Sequence, residues 1–346
     1  MTQLFSCLNL PEFVIQCHKS IQRKYISDYY RFLNLKKKLL VLGISGLTGY
    51  KIAEVANSEY EVHGTFNVRS TKLEGCTTFQ LDLTKEEDVT RVFSDIKPDL
   101  VINTTALHNV DYCEENQQQA TLVNTQVVKH LYENSEKYRS KLVHISTDYV
   151  FDGKKTTPYT ESDEPSPISF YGRSKLEGEK ILARSRHVVV RPSVVYGWTP
   201  LELAGTTSSS GKPMNFAMWL LTKLHKKEQL KIVTDQFASA TLADSLAEAC
   251  LRIVKSDKSG LYHVSGLSCE SRYEFSTKFA KKFGYDTSLI SKSDSSSFIQ
   301  KAKRPQHSCL DSQKAIKEFN LRLLATEEAL DIMKSQVEEE APHLLN

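Results

Sequence analysis

Residues 39–56 read LLVLGISGLTGYKIAEVA. A short apolar run suits a buried strand, Gly43, Gly46 and Gly49 then punctuate the chain, and Ile52, Val55 and Ala56 recur at helical spacing. Strand, glycine turn and helix in this order are how a dinucleotide-binding unit begins. Glycines at such a turn allow a tight bend, bring backbone N–H groups close to a pyrophosphate, and let the helix pack on the strand. The anion then meets the positive end of the helix dipole. Ser45, Leu47 and Thr48 belong to the same turn and are expected to line the cofactor with the glycines. Glycine spacing alone fits an ordinary βα turn equally well, so the surrounding chain has to decide.

Downstream, YEVHGTF and TTFQLDLT read as second and third strands, EEDVTRVFSDI as a helix, and DLVINTTA as a strand after Pro98. QATLVNTQVVKHLYENSEKY is helical and KLVHISTDYVF strand-like. This alternation argues for a parallel sheet with helices on both faces and right-handed crossovers. The expected fold class is α/β, a Rossmann-type doubly wound parallel sheet with a smaller mixed C-terminal substrate-binding domain, the ligand lying beyond the C-terminal strand ends. The dinucleotide-binding domain is placed at 38–200, with about 236–267 returning to it through LADSLAEACLRIV and GLYHVSG. Residues 201–235 and 268–330 form the substrate-binding domain. LAGTTSSSGKP, 203–213, is expected to border the substrate cleft. Residues 331–346, ending EEEAPHLLN, are expected to fray as a tail, and 1–37 form an extension expected to pack on the body.

Lys+Arg total 45 against Asp+Glu 42, a balance that gives no reason to expect nucleic acid or a membrane surface as partner. A small-molecule partner fits better. The seven cysteines are scattered, without CxxC or zinc-ligand spacing, which suits a reducing cytoplasm and a cytoplasmic protein. No metal-ligand cluster is recognisable. No apolar run reaches the ~18 to 20 residues that span a bilayer.

An NAD site expects a carboxylate about 20 residues after the glycines, at the end of the second strand. Here that end reads GTFNVRS, with Arg69 instead. An arginine suits a 2′-phosphate, so NADP(H) is favoured with NAD(H) left open; a solvated loop arginine is the competing reading. Asp82 and Leu83 in QLDLT are placed to meet the adenine, although Asp82 could serve the following helix, for which Thr84 is the better cap. Asn103, Thr104, Thr105 and Ala106 end the fourth strand on the cofactor side.

SFYGRSKLEGEK, 169–180, sets Tyr171 four residues before Lys175. On a helix these share a face, with Cβ atoms roughly 5 to 6 Å apart. An ammonium beside a phenol lowers its pKa and makes it a usable general acid or base. Lys175 could also hold the nicotinamide ribose. A lone YxxxK is usually helix-surface decoration; here it follows a glycine turn and a strand ending in STDYVF, where the Thr147 hydroxyl could meet a substrate carbonyl.

GISGLTG, NTTALHNVDYCEEN, VHISTDYVFDG, PYTESDEPSPISFYGRSKLEGE, RPSVVYG, TDQFASAT and KRPQHSCLD together resemble the extended short-chain dehydrogenase/reductase superfamily, and within it the dTDP-4-dehydrorhamnose reductase family with its RmlD-like substrate-binding domain. The resemblance spans about residues 38–330. It implies that Thr147, Tyr171 and Lys175 form the catalytic group, that Tyr149 lies near the sugar, and that Asp111 sits at the substrate end of the cofactor loop. The family's AAHTAVD is TALHNVD here, which brings His108 to the substrate side, and its pocket tryptophan is Val194. The implied activity is NADPH-dependent reduction of a nucleotide-linked 4-keto sugar, as in dTDP-rhamnose biosynthesis. In it Tyr171 is proton donor, Lys175 lowers its pKa and Thr147 orients the carbonyl. The implied partner is a nucleotide-sugar substrate, and a homodimer is compatible. Two alternatives stay open. One is a non-catalytic regulatory subunit resembling the beta subunit of methionine adenosyltransferase; the other is an NAD-dependent nucleotide-sugar epimerase or dehydratase. Fold alone does not choose among them.

Overall fold

The computed structural model describes residues 36–200, 215–298 and 300–345. The expectations for the N-terminal extension, apart from its last residues, and for the serine-rich loop at 203–213 lie outside the described residues.

The apolar run becomes β1 (Lys38–Leu42), buried on both faces because it is central to the main sheet. The first half then runs α1 (Leu47–Ala56), β2 (Glu61–Phe66), β3 (Cys76–Gln80), α2 (Glu86–Ile96), β4 (Leu100–Asn103), α3 (Val110–Glu115) and α4 (Gln117–Thr121). A π-helical turn, Leu122–Gln126, leads into α5 (Val127–Tyr138), followed by β5 (Lys141–Ile145), α6 (Phe170–Leu182) and β6 (Val188–Arg191). Pro192 alone separates β6 from β7 (Ser193–Tyr196). Next come α7 (Phe216–His225), β8 (Leu230–Val233), β9 (Phe237–Ala238), β10 (Ala240–Leu242), α8 (Ala243–Lys255) and β11 (Gly260–His263). The chain closes with β12 (Glu270–Ser271), α9 (Arg272–Phe283), β13 (Ile290–Ser293), α10 (Gln313–Phe319) and α11 (Thr326–Glu340).

Seven parallel strands make the main sheet in the order β11-β6-β5-β4-β1-β2-β3. Strand alternation sends Leu39 and Val41 to the face covered by α1 and α8, and Leu40 and Leu42 to the face covered by α2, α5 and α6. Leu42 is in register with both Thr65 and Asn103, so the ends of β1, β2 and β4 open side by side. A Cβ on Gly49 would come 2.3 Å from Gly43 O, so this glycine lets α1 seat on the turn.

A second core joins Trp198 and the apolar faces of α7, α9 and α11. Its α11 corrects the expected tail: Leu330, Met333 and Val337 are buried there, and the Tyr285 hydroxyl donates to Leu344 O. Thr84 is corrected as well. The residue preceding α2 is Lys85, without a side-chain cap, and Thr84 instead donates from N and Oγ1 to Asp82 Oδ1 at 3.1 and 2.7 Å. Glu86, Glu87 and Asp88 complement the helix dipole in its place. The reading of the cysteines as scattered is corrected for one pair. Cys269 and Cys309, 40 residues apart in sequence, form a disulfide with Cα atoms 5.5 Å apart; folding assembles it, and local spacing carries no sign of it. Among the described residues no helix is long and apolar enough to cross a membrane, and no group of three His, Cys, Asp or Glu could hold a metal ion.

Candidate active site

Two adjoining cavities lie over the strand ends, about 440 and 380 Å³ in volume. They share Ser45, Gly46, Arg69, Thr104, Ala106 and His108. The smaller runs from Gly43 past Arg69 to Asp82 and Leu83, with Thr105 on its floor. The larger runs from Leu47 and Thr48 to Thr147, Tyr149, Tyr171, Lys175 and Val194. Helix α1 begins at Gly46 with no side-chain cap and no acidic residue in its first turn, so its leading N–H groups face the crevice as anion donors. Arg69 donates to Ser45 O, which fixes it over the turn, and burial lowers its pKa.

Thr147 and Tyr171 meet because two elements pack closely. Ser169 caps α6 by accepting from Gly172 N at 3.2 Å. A Cβ on Gly172 would come 2.1 Å from Tyr149 O, so glycine lets the helix approach the chain that leaves β5. The Tyr171 ring then meets Tyr149 edge-on, centroids 5.8 Å apart, and its phenol hydrogen-bonds Thr147. Thr147 Oγ1 donates to Asp148 Oδ1 at 3.1 Å and accepts from Tyr149 N at 3.2 Å. Buried Asp148 also accepts from Ser193 Oγ at 2.8 Å and Ser308 Oγ at 2.6 Å. Burial raises the Asp148 pKa, against the pull of these three hydroxyls.

The Tyr171 phenol is pushed well up, by burial first, with the Asp148 charge adding and the Thr147 bond opposing. The expectation that Lys175 lowers it meets a stronger opposing effect. Desolvation wins, and Lys175 turns its Nζ to β5, 2.7 Å from Ile145 O and 3.2 Å from His144 Nε2. Burial brings Lys175 down to about 8, against Glu179, which raises it. Glu179 is itself held by Arg191 Nε and Nη2 at 2.9 and 2.6 Å and by Ser146 Oγ.

Three sequence candidates do not line either cavity. Gly49 packs helix on turn. Asn103 is buried, with Oδ1 accepting from Thr105 N at 3.1 Å and Oγ1 at 2.6 Å. Asp111 is paired with Arg304 at 2.7 Å and accepts from Ala302 N at 2.9 Å, clamping a distant segment onto α3. Val194 does line the larger cavity, in an unexpected state: its φ is +42°. A β-branched residue there stores about 1–3 kcal/mol of strain.

Sequence reading missed Asn215, Phe216 and Arg272, which close the far end of the larger cavity. The Arg272 guanidinium stacks 4.8 Å from the Phe216 centroid, and its charge reaches Asp148 and Tyr149. The only local sign was Ser271 and Glu274, whose capping box starts α9 and would have placed Arg272 at a helix start without aiming it.

Residues 37–338 match the family described as RmlD substrate binding domain. The chain is 33% identical over 296 residues to the spore coat polysaccharide biosynthesis protein SpsK of Bacillus subtilis (strain 168), covering 85% of this chain and 95% of that protein. It is 29% identical over 316 residues to the dTDP-4-dehydrorhamnose reductase of Aggregatibacter actinomycetemcomitans, covering 87% and 99%. A crystal structure of dTDP-4-dehydrorhamnose reductase from Bacillus anthracis str. Ames, in complex with NADP, superposes with a TM-score of 0.76 at 26% identity, over 87% of this chain and 100% of that one.

Proposed function

This chain belongs to the RmlD substrate binding domain family, and from that premise we propose that it is an NADPH-dependent reductase of a nucleotide-linked 4-keto sugar. The observation that carries the reading is convergence: Thr147, Tyr171 and Lys175 line the same cavity as Ser45, Gly46, Leu47 and Thr48 of the glycine turn.

The residues present fit the cofactor. An uncapped helix start with small residues around it suits a pyrophosphate, and Arg69, where a carboxylate would favour NAD, suits a 2′-phosphate. The relative of solved structure that binds NADP supports the same choice. Gly43, Ser45, Gly46 and Arg69 would hold the phosphates, Asp82 and Leu83 the adenine, and Lys175 the nicotinamide ribose. Bound there, NADPH supplies the hydride.

The protein's part is alignment and a proton. Thr147 turns its one hydroxyl hydrogen from Asp148 to the sugar carbonyl and fixes its direction. Tyr171 gives its proton to the oxygen as it becomes an alkoxide. A phenol whose pKa burial has raised stays protonated across neutral pH, and an acid is what reduction asks of it. Arg272, with Asn215 and Phe216, receives the nucleotide end of the substrate.

The test is oxidation of NADPH and of NADH across a panel of 4-keto nucleotide sugars, with the product identified. The reading expects turnover on at least one member, faster with NADPH. No oxidation on any, together with a stable partner recovered by pull-down, would sink it in favour of a regulatory subunit.

A further inference from the structure

Lys175 is fully buried, and the donors and acceptors around it leave little choice of proton placement. Asn103 Nδ2 lies 3.0 Å from His144 Nδ1. The amide cannot be turned round, because Asn103 Oδ1 accepts from Thr105 N at 3.1 Å, and a backbone N–H only donates. Nδ2 is therefore the donor and His144 Nδ1 the acceptor. A neutral imidazole that accepts at Nδ1 carries its hydrogen on Nε2. That hydrogen faces Lys175 Nζ at 3.2 Å. An ammonium has no lone pair to receive it, so a charged lysine would set two N–H groups against each other. A neutral amine accepts from His144 and still donates to Ile145 O at 2.7 Å.

We propose that His144 is a positioning residue that docks Lys175 as a neutral amine against β5 in the free protein, so that drawing the lysine off as a cation to a bound dinucleotide takes up one proton from solvent. The docked state stands on the free protein alone; only the uptake rests on the reductase reading.

The surrounding groups agree. From α6, Glu179 favours a charged lysine, but its carboxylate is engaged by Arg191 of β6. Tyr171 of the same helix is held protonated by burial. From the π-helical turn, Asn124 and Thr125 bond Ser174 and bring no charge. Beyond β5, Asp148 is occupied by three hydroxyls. From β4 the uncharged amide of Asn103 meets the ring. Desolvation is the first cause that keeps the imidazole well below its ordinary range, and desolvation lowers Lys175 to about 8, which leaves both uncharged in mildly alkaline solution.

Two measurements on the whole protein test this. In ¹⁵N-histidine-labelled protein without cofactor at about pH 9, the His144 resonances, assigned by their loss in His144→Gln, should report a neutral Nε2–H tautomer. In calorimetric titration with NADP⁺ in buffers of different ionisation enthalpy, uptake should approach about one proton, and the dissociation constant should rise about tenfold per pH unit above about pH 8. In His144→Gln the side-chain carbonyl accepts from an ammonium, so the uptake is lost and the onset moves to higher pH. An Nδ1–H tautomer or an imidazolium in the free wild type overturns the proposal, as does NADP⁺ binding without proton uptake. If no dinucleotide binds, the reductase reading falls and the tautomer still decides this one.

Discussion

If Tyr171 is the acid, one oxygen carries the proton step, and the sharpest prediction is at that atom. Tyr171→Phe removes the proton donor and keeps the ring that packs edge-on against Tyr149. Turnover should fall by ~10²- to 10⁴-fold, with NADPH affinity by fluorescence titration nearly unchanged. Equal turnover of variant and wild type would end the acid assignment. Arg272 tests the other end of the cavity. If its guanidinium meets a substrate charge, Arg272→Ala loses about 1.5–3 kcal/mol of binding and raises KM about ten- to a hundredfold with a smaller change in kcat. An unchanged KM would place the nucleotide elsewhere. These two residues also divide what was legible. The tyrosine stands in a local pattern, YxxxK after a strand ending in STDYVF, whereas Arg272 reaches the cavity from about 100 positions further along the chain, and the capping box beside it marks a helix start without aiming the side chain.

Among elements, α6 is the one whose placement decides the site. Gly172→Ala would drive a Cβ to 2.1 Å from Tyr149 O, so the helix must back away and carry Tyr171 with it. About 1–3 kcal/mol of stability should be lost, visible as a lower urea midpoint, and turnover should fall more than Tyr149 or Ser169 contacts alone explain. Wild-type turnover in a folded Gly172→Ala protein would show that the close approach is dispensable. Most elements could be read from sequence because their signals are short-range: the alternation of strand and helix up to β6, and the turn at Gly43 to Gly49. Helix α11 could not. Its buried Leu330, Met333 and Val337 sit among TEEALDIMKSQVEEE, a stretch that reads as polar until α7 and α9 supply the surface it covers. The Thr84 cap failed for a similar reason, since Asp82 competes for the same hydroxyl at 2.7 Å.

The whole molecule holds buried imidazoles whose protonation opposes the fold. Burial is the main cause in each, taking His263 to about 3 and His187 to about 4. Between these values and the ordinary ~6.5 the unfolded chain binds more protons than the folded one, so stability rises with pH through that window and falls on acidification. The urea midpoint should therefore drop from pH 7 to about pH 4.5, and His263→Gln should flatten the slope if the variant folds. The Cys269–Cys309 bond closes a loop of sequence separation 40, for which chain entropy suggests about 4 kcal/mol. Melting in a strong reductant should come several degrees lower, and Cys269→Ser should melt at the reduced position with no further response to reductant.

Pro192, alone between β6 and β7, has a mechanical consequence. The strand on its one side is tied by Arg191 to Glu179, and the strand on its other by Ser193 to Asp148 and Thr241. The two lobes thus share a fused spine, stiff at the very point where jaws would hinge. A ligand of the larger cavity would then meet walls already set, without waiting for the body to gape.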